Sequence, residues 1–243
     1  MILFGLIGKT LTHSFSKAYF TEKFTKLGLQ DHSYVNFELK SISELQSILS
    51  NHPNLKGLNV TVPYKEEIIP FLDSSNELVQ QTGACNCIKI EKGKLTGFNT
   101  DIIGFSNSLQ KHLKPHHQKS IVLGTGGASK AVQYCLKQLQ IPYIVISRHK
   151  QENHLTYEDL SQEILNGYKI IINTTPLGMY PDITSYPFIP YRDVTPEHLF
   201  FDLIYNPAKT IFLEKGEEKG ATIINGFEML MLQAEESWRI WES

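Results

Sequence analysis

The sequence predicts an α/β protein of two domains, each built on a sheet of mainly parallel strands. Three observations predict it. Apolar strand segments alternate with helical segments along nearly the whole chain, which implies parallel sheets covered by helices. A polar, proline-bearing break at Lys114-Pro115-His116-His117-Gln118 separates two such series. The length of 243 residues suits two modest domains at roughly 100–200 residues each.

The elements follow in order. Residues 2–7 form an apolar first strand, with neither the basic flank nor the cleavage site of a signal peptide. Residues 16–27 carry Ala18, Tyr19, Phe20, Phe24 and Leu27 at helical spacing, closed by Gly28. A strand is expected from Tyr34 to Leu39, and Ser41-Ile42-Ser43-Glu44 is a capping box for a helix to about Leu49. The next strand runs from Gly57 to Val62 and is stopped by Pro63. Cys85 to Ile90 and Lys94 to Phe98 read as a hairpin turning at Lys92-Gly93. A helix follows from Asp101 to Leu113.

After the break come Ile121-Val122-Leu123, the turn Gly124-Thr125-Gly126-Gly127-Ala128, and a helix with Ala128, Ala131, Val132, Cys135, Leu136 and Leu139 on one face. Further strands are expected at Tyr143 to Ser147, Lys169 to Asn173, Leu199 to Ile204 and Thr222 to Asn225. The span between Ser147 and Lys169 is compact, so an element there is expected to be shortened. A last helix covers Phe227 to Trp241. The domains are then residues 1–100 joined by the C-terminal helix 227–243, and residues 101–226.

Composition narrows the function. The chain is 41% apolar and 20% charged, ordinary for a folded protein, with a formal charge of −2. That balance offers no electrostatic footprint for nucleic acid or anionic lipid, and no apolar run has the ~18 residues of a membrane helix. Cys85 and Cys87 are too close for a usual disulfide or a four-ligand metal site, so no metal is expected and a reducing cytosol is the expected setting. The oligomeric state, monomer or homodimer, stays open.

Two constellations carry chemistry. A glycine-rich turn between strand and helix is a Rossmann-type site, where main-chain N–H groups and the helix dipole hold a pyrophosphate. Gly124 allows the tight turn and Gly126 the close approach, while Ser129 stands where the strict fingerprint has its third glycine. The next strand ends in Ser147-Arg148-His149, without the acidic residue that suits NAD. A guanidinium forks onto a phosphate, so Arg148 points to NADP; a solvated basic turn is the plainer alternative.

The second constellation is Ser14-Phe15-Ser16, Asn59-Val60-Thr61-Val62-Pro63-Tyr64-Lys65, Asn86 and Asn99-Thr100-Asp101, all at strand ends or turns. Ligands of open parallel sheets bind there. Asn59 and Thr61 share one strand face, and both are expected among the substrate-binding residues. Paired hydroxyls at a helix start can hold a carboxylate, although simple capping explains Ser14 or Ser16 equally well. Lys65 and Asp101 are candidates for proton transfer, treated as a coupled pair; a structural ion pair is the alternative.

With those residues in view, the sequence resembles the shikimate dehydrogenase family. The likeness extends over nearly the whole chain and adds Gly83-Ala84-Cys85-Asn86, Gly97 to Gly104, Asn173-Thr174-Thr175-Pro176-Leu177-Gly178-Met179, Asp202-Leu203-Ile204-Tyr205-Asn206-Pro207, Gly226-Phe227-Glu228-Met229-Leu230 and Gln233-Ala234. The resemblance implies NADP-linked interconversion of shikimate and 3-dehydroshikimate on the route to aromatic amino acids. It implies that Ser14, Ser16 and Tyr205 hold the substrate carboxylate, and that Thr61, Asn86, Asp101 and Gln233 bind ring hydroxyls. Lys65 would be the catalytic base or acid. Gly124, Thr125, Gly126, Gly127, Ala128, Ser147, Arg148, His149, Ile204 and Gly226 would contact the cofactor. A quinate/shikimate dehydrogenase of the same family and a non-catalytic NADPH sensor are the competing expectations.

Overall fold

The structure, a computed structural model, describes residues 1–12, 14–150 and 152–243. Strand β1 (Ile2–Gly8) leads to α1 (Phe15–Lys26) and β2 (His32–Glu38). Just past α1, Gly28 has φ +71°, a left-handed conformation that a side chain would disfavour. The capping box forms: Glu44 Oε1 accepts from Ser41 N at 3.1 Å, and Ser41 Oγ accepts from Ser43 N. Its first turn is a tight 3₁₀ turn, followed by α2 (Leu45–Asn51).

Strand β3 (Leu55–Val60) ends two residues before the expected Val62, because Tyr64 N bonds back to Thr61 O and closes a turn at once. The short β4 (Ser74–Ser75) and α3 (Glu77–Thr82) have too few residues to show a period in sequence. The hairpin β5 (Cys87–Glu91) and β6 (Lys94–Phe98) turns through Lys92 and Gly93, both with positive φ. The six strands lie in the order β2-β1-β3-β5-β6-β4. Strand β5 is antiparallel to β6 through the hairpin and antiparallel to β3 on its other side, and the other pairs are parallel.

The second series runs α4 (Asp101–Gln110), β7 (Ser120–Leu123), α5 (Gly127–Gln138), β8 (Tyr143–Ser147), β9 (Leu155–Thr156), α6 (Gln162–Gly167), β10 (Ile170–Asn173), β11 (Leu199–Asp202), α7 (Ile211–Glu217), β12 (Thr222–Ile224) and α8 (Phe227–Glu242). Helix α4 stops before the expected Leu113. Pro115 disfavours helix at Lys114, whose N–H goes instead to His117 Nδ1 at 3.0 Å. Among the described residues, the compact stretch after Ser147 holds the two-residue β9, a 3₁₀ turn at Tyr157–Asp159 and the six-residue α6. All six strands are parallel, in the order β12-β11-β10-β7-β8-β9. Counted from β7, this is the doubly wound arrangement, with its switch point between β7 and β10.

Two compact units divide the chain, Met1–Thr100 with Ala234–Ser243, and Asp101–Gln233. The division falls within α8. In the first unit, successive side chains of β1 enter opposite cores. Leu3 and Ile7 join Leu58, Val60 and Ile88, while Phe4 and Leu6 join Phe20, Phe24, Tyr34 and Trp241. Trp241 stacks on Phe4 at 4.7 Å and donates Nε1 to Ile88 O at 3.0 Å, over Gly57, where a Cβ would meet the indole at 2.3 Å. In the second unit Ile121, Leu123, Ile171 and Phe200 fill one face of the sheet, and Phe201 meets Phe105 of α4 on the other. Among the described residues no helix is long and apolar enough to cross a membrane.

Candidate active site

In the first unit the polar residues collect where β3 ends and β5 begins. Thr61 and Lys65 lie in the turn after β3, braced by Tyr64, whose hydroxyl donates to Leu39 O at 2.7 Å. The carbonyl of Lys65 accepts from Cys85 N at 2.8 Å, and Val60 N donates to Asn86 O at 2.9 Å. Main-chain bonds therefore hold Lys65 and Asn86 on neighbouring segments. Asn86 Oδ1 accepts from Thr100 N at 2.6 Å and its Nδ2 donates to Thr100 Oγ1 at 3.0 Å, fixing the residue directly before Asp101. Thr61 and Lys65 are half-buried; Asn86 is buried.

Beneath them lies a buried polar network. Tyr34 donates its hydroxyl to Asn59 Oδ1 at 2.8 Å, and Asn59 Nδ2 donates to Ser237 Oγ at 2.9 Å. Ser237 Oγ lies 3.3 Å from Thr100 Oγ1, and Ser16 bonds to Tyr34. Burial pushes the Tyr34 phenol well up, against the opposing bond from Ser16. An unpaired member of such a network would cost ~1–3 kcal/mol, so it acts as one unit that sets Asn59, Asn86 and Thr100. Asn59 has protein partners at both ends of its amide. Ser14 differs. It occupies the N-cap position of α1 yet makes no capping bond, and its buried Oγ has no hydrogen-bond partner among the described residues. Capping does not explain Ser14.

In the second unit the glycine turn follows β7. Gly124 has φ +106°, and a Cβ there would lie 2.8 Å from Thr174 Oγ1. Gly126 is the N-cap of α5 and brings no side chain, while a Cβ added to it would meet nothing within 4 Å. The first amides of the twelve-residue helix thus lack a side-chain cap, and the dipole favours an anion there. Ser129, in the third fingerprint position, turns inward and donates to Gly124 O at 2.7 Å. Gly124 N donates to Ile146 O at 2.9 Å, which sets the end of β8 beside the turn. There Ser147 is buried, with its hydroxyl bonded to His149 O, while Arg148 and His149 are exposed. Burial pushes the Tyr157 phenol up, and the charge of Arg148 opposes it.

Ile204 is buried after β11; its N–H donates to Asp202 Oδ1 at 3.0 Å and its carbonyl accepts from Gly226 N at 3.0 Å. Gly226 admits no side chain, since a Cβ would lie 2.0 Å from Leu203 O. Tyr205 follows, half-buried. Gly104 of α4 lets α8 approach: a Cβ there would meet Met229 O at 2.6 Å and Gln233 N at 3.1 Å. Asp101 lies one turn before Gly104, on the same face, so Asp101 and Gln233 are brought to facing helices. Both are buried.

The sequence-predicted residues thus gather in three groups. Ser16, Asn59, Thr61, Lys65 and Asn86 share one end of the first sheet. Asp101 and Gln233 share the α4–α8 face. The glycine turn, the 147–149 segment, Ile204 and Gly226 share the strand ends of the second sheet. Sequence reasoning missed Tyr34, Ser237 and Asp202 as parts of these sites. Asp202 opens a motif already noted, but nothing in sequence shows a carboxylate bonded inward, and Ser237 looks like any helix serine.

This combination defines a class, a dinucleotide-linked oxidoreductase of two α/β units. Residues 6–88 match the family model of the shikimate dehydrogenase substrate binding domain. A shikimate dehydrogenase (NADP(+)) of Methanococcus vannielii is 34% identical, across 99% of this chain and 91% of that protein. The crystal structure of shikimate dehydrogenase from Aquifex aeolicus has a TM-score of 0.89 at 33% identity, covering 99% of this chain and 92% of that one. Shikimate 5-dehydrogenase from Thermus thermophilus, solved in complex with NADP(H) and shikimate, has a TM-score of 0.88 at 29% identity, covering 99% and 93%. The chain belongs to the shikimate dehydrogenase family.

Proposed function

We propose that this protein is an NADP-dependent shikimate dehydrogenase, which reversibly reduces 3-dehydroshikimate to shikimate in aromatic amino-acid biosynthesis. The observation that carries the reading is Lys65, half-buried and tied through its own carbonyl to the Cys85-Asn86 segment, beside Thr61. That set offers a proton carrier and donors for a hydroxylated ring in one place. The residues of the second unit fit the cofactor: an uncapped helix start at Gly126 for the pyrophosphate and an exposed Arg148 for the 2′-phosphate.

The chemistry that bound NADPH supplies is a hydride to the ring ketone. Lys65 and Asp101 act as the proton-transfer pair and give the new alkoxide oxygen its proton. Ser14, Ser16 and Tyr205 hold the substrate carboxylate, with the unpartnered Ser14 hydroxyl best suited to donate to it. Thr61, Asn86 and Gln233 bind ring hydroxyls, and Asn59 serves by keeping Asn86 and Ser237 in place. Thr125, Gly127, Ala128, Ser147, His149, Ile204 and Gly226 complete the cofactor side. The three cysteines are buried free thiols, which suits a reducing cytosol.

The test mixes protein, shikimate and NADP and follows the NADPH absorbance band. A rise proportional to enzyme supports the reading. A flat trace from folded protein that still binds NADPH would make it a nucleotide sensor.

A further inference from the structure

Asp202 is a fully buried carboxylate at the end of β11, and the proton transfer above makes no use of it. Its oxygens receive three bonds. Ile204 N and Asn173 Nδ2 donate to Oδ1, each at 3.0 Å, and Thr210 Oγ1 donates to Oδ2 at 2.5 Å. Each donor belongs to a different segment, and each segment leads onward.

Asn173 ends β10, and its Oδ1 accepts from Thr175 N at 3.0 Å and from Thr175 Oγ1 at 2.7 Å. The neighbouring Thr174 donates its hydroxyl to Leu123 O at 2.6 Å, at the last residue of β7. Thr174 and Thr175 together fill the space that a Cβ on Gly124 would need. Thr210 caps α7 through Leu213 N, and the Ile204 carbonyl receives Gly226 N at the entry to α8. One carboxylate therefore ties the loops after β10 and β11 and the starts of two helices, all at the strand ends that carry the glycine turn. Burying a carboxylate is costly, and three donors recover only part of that cost. A residue that served packing alone would do better apolar.

We propose that Asp202 is the positioning residue of the cofactor side: by holding the Ile204 main chain and the Asn173–Thr175 loop against the glycine turn, it presents one fixed surface to the dinucleotide. The inference rests on the cofactor reading above. Its force lies in the shared oxygen. Oδ1 couples the Ile204 main chain to the threonine loop, so losing it loosens both at once.

The test measures NADPH affinity by fluorescence titration and kcat with KM for NADP, in wild type, Asp202→Ala, Asp202→Asn and Asn173→Ala, all well below their melting temperatures. Asp202→Ala is expected to weaken NADPH about tenfold or more and to lower kcat at saturating NADP. Asp202→Asn keeps an acceptor at Oδ1 and should recover affinity to within about threefold of wild type. Asn173→Ala cuts the link to Thr175 alone and should weaken NADPH about threefold, which carries the test should the Asp202→Ala protein not fold. A folded Asp202→Ala protein with wild-type affinity and kcat would overturn the proposal, as would Asn173→Ala with unchanged affinity or Asp202→Asn as weak as Asp202→Ala. Wild type that fails to bind NADPH would instead remove the cofactor reading itself.

Discussion

The two units build their sites from opposite materials. At the strand ends of the first, the groups we propose to work are side chains, from Ser14 and Thr61 to Lys65 and Asn86, beside a buried network through Tyr34, Asn59 and Ser237. At the strand ends of the second, the groups we propose to work are main-chain amides at Gly126 and beyond, and side chains such as Ser129 and Asp202 turn inward beneath them. A hydroxylated ring is read by groups that differ in reach and charge. A pyrophosphate looks alike from any side, so repeated N–H groups and a helix dipole suffice. The side-chain site should therefore fail one residue at a time, with sharp chemical consequences, and the main-chain site through its braces and its one charged reader.

The largest effect is expected from Lys65→Ala. Turnover should fall about 10²–10⁴-fold with shikimate binding largely kept, because the loss falls on proton transfer. Single-turnover and steady-state rates decide it; an unchanged kcat would remove Lys65 from the chemistry.

Next comes a pH effect on the second unit. Burial pushes the Asp202 carboxyl up to about 7, against the three bonds it accepts. A carboxyl in the unfolded chain titrates near 3.9, so between these values the native state holds a proton that the unfolded state has lost. Its contribution to stability is full below pH ~4 and is lost as pH rises through about 7, on the order of a few kcal/mol. Denaturant melts across that range should show the decline, and Asp202→Asn should flatten it. Equal slopes in the two proteins would place the titration elsewhere.

Arg148→Ala should weaken NADP by about 1.5–3 kcal/mol, the range for a hydrogen bond to a charged group, and leave NAD unchanged. Equal losses with both cofactors would detach Arg148 from the 2′-phosphate. The smallest effect is that of Ser14→Ala, about 0.5–1.5 kcal/mol in the KM for shikimate. It should leave the melting temperature and the KM for NADP alone, since the Ser14 hydroxyl has no partner among the described residues. A fall in stability without a change in KM would return Ser14 to a structural role.

The same contrast explains what the sequence reveals. Gly124 and Gly126 announce the proposed main-chain site: Gly124 combines a positive φ with no room for a Cβ, Gly126 leaves the helix start bare, and the twelve-residue α5 that follows repeats its apolar positions. The parallel second sheet is legible for that reason. The first sheet is legible as strands, and the Lys92-Gly93 turn marks β5 and β6 as an antiparallel hairpin; the antiparallel pairing of β5 with β3 is not legible, because a long stretch of chain separates the two strands. Helices α3, α6 and α7 have six or seven residues, too few for an apolar stripe to repeat. Lys65, Asn86 and Asp101 are visible as unusual residues at strand ends. Ser237 is not, since it meets Asn59 across 178 positions of sequence. Nor is the role of Asp202, because an inward-bonded carboxylate and a solvated one read alike.

The most direct test is a two-by-two comparison of kcat/KM, shikimate and quinate against NADP and NAD. We expect the highest value for shikimate with NADP, and a drop on changing either partner. Equal or higher values with quinate, or with NAD, would contradict it.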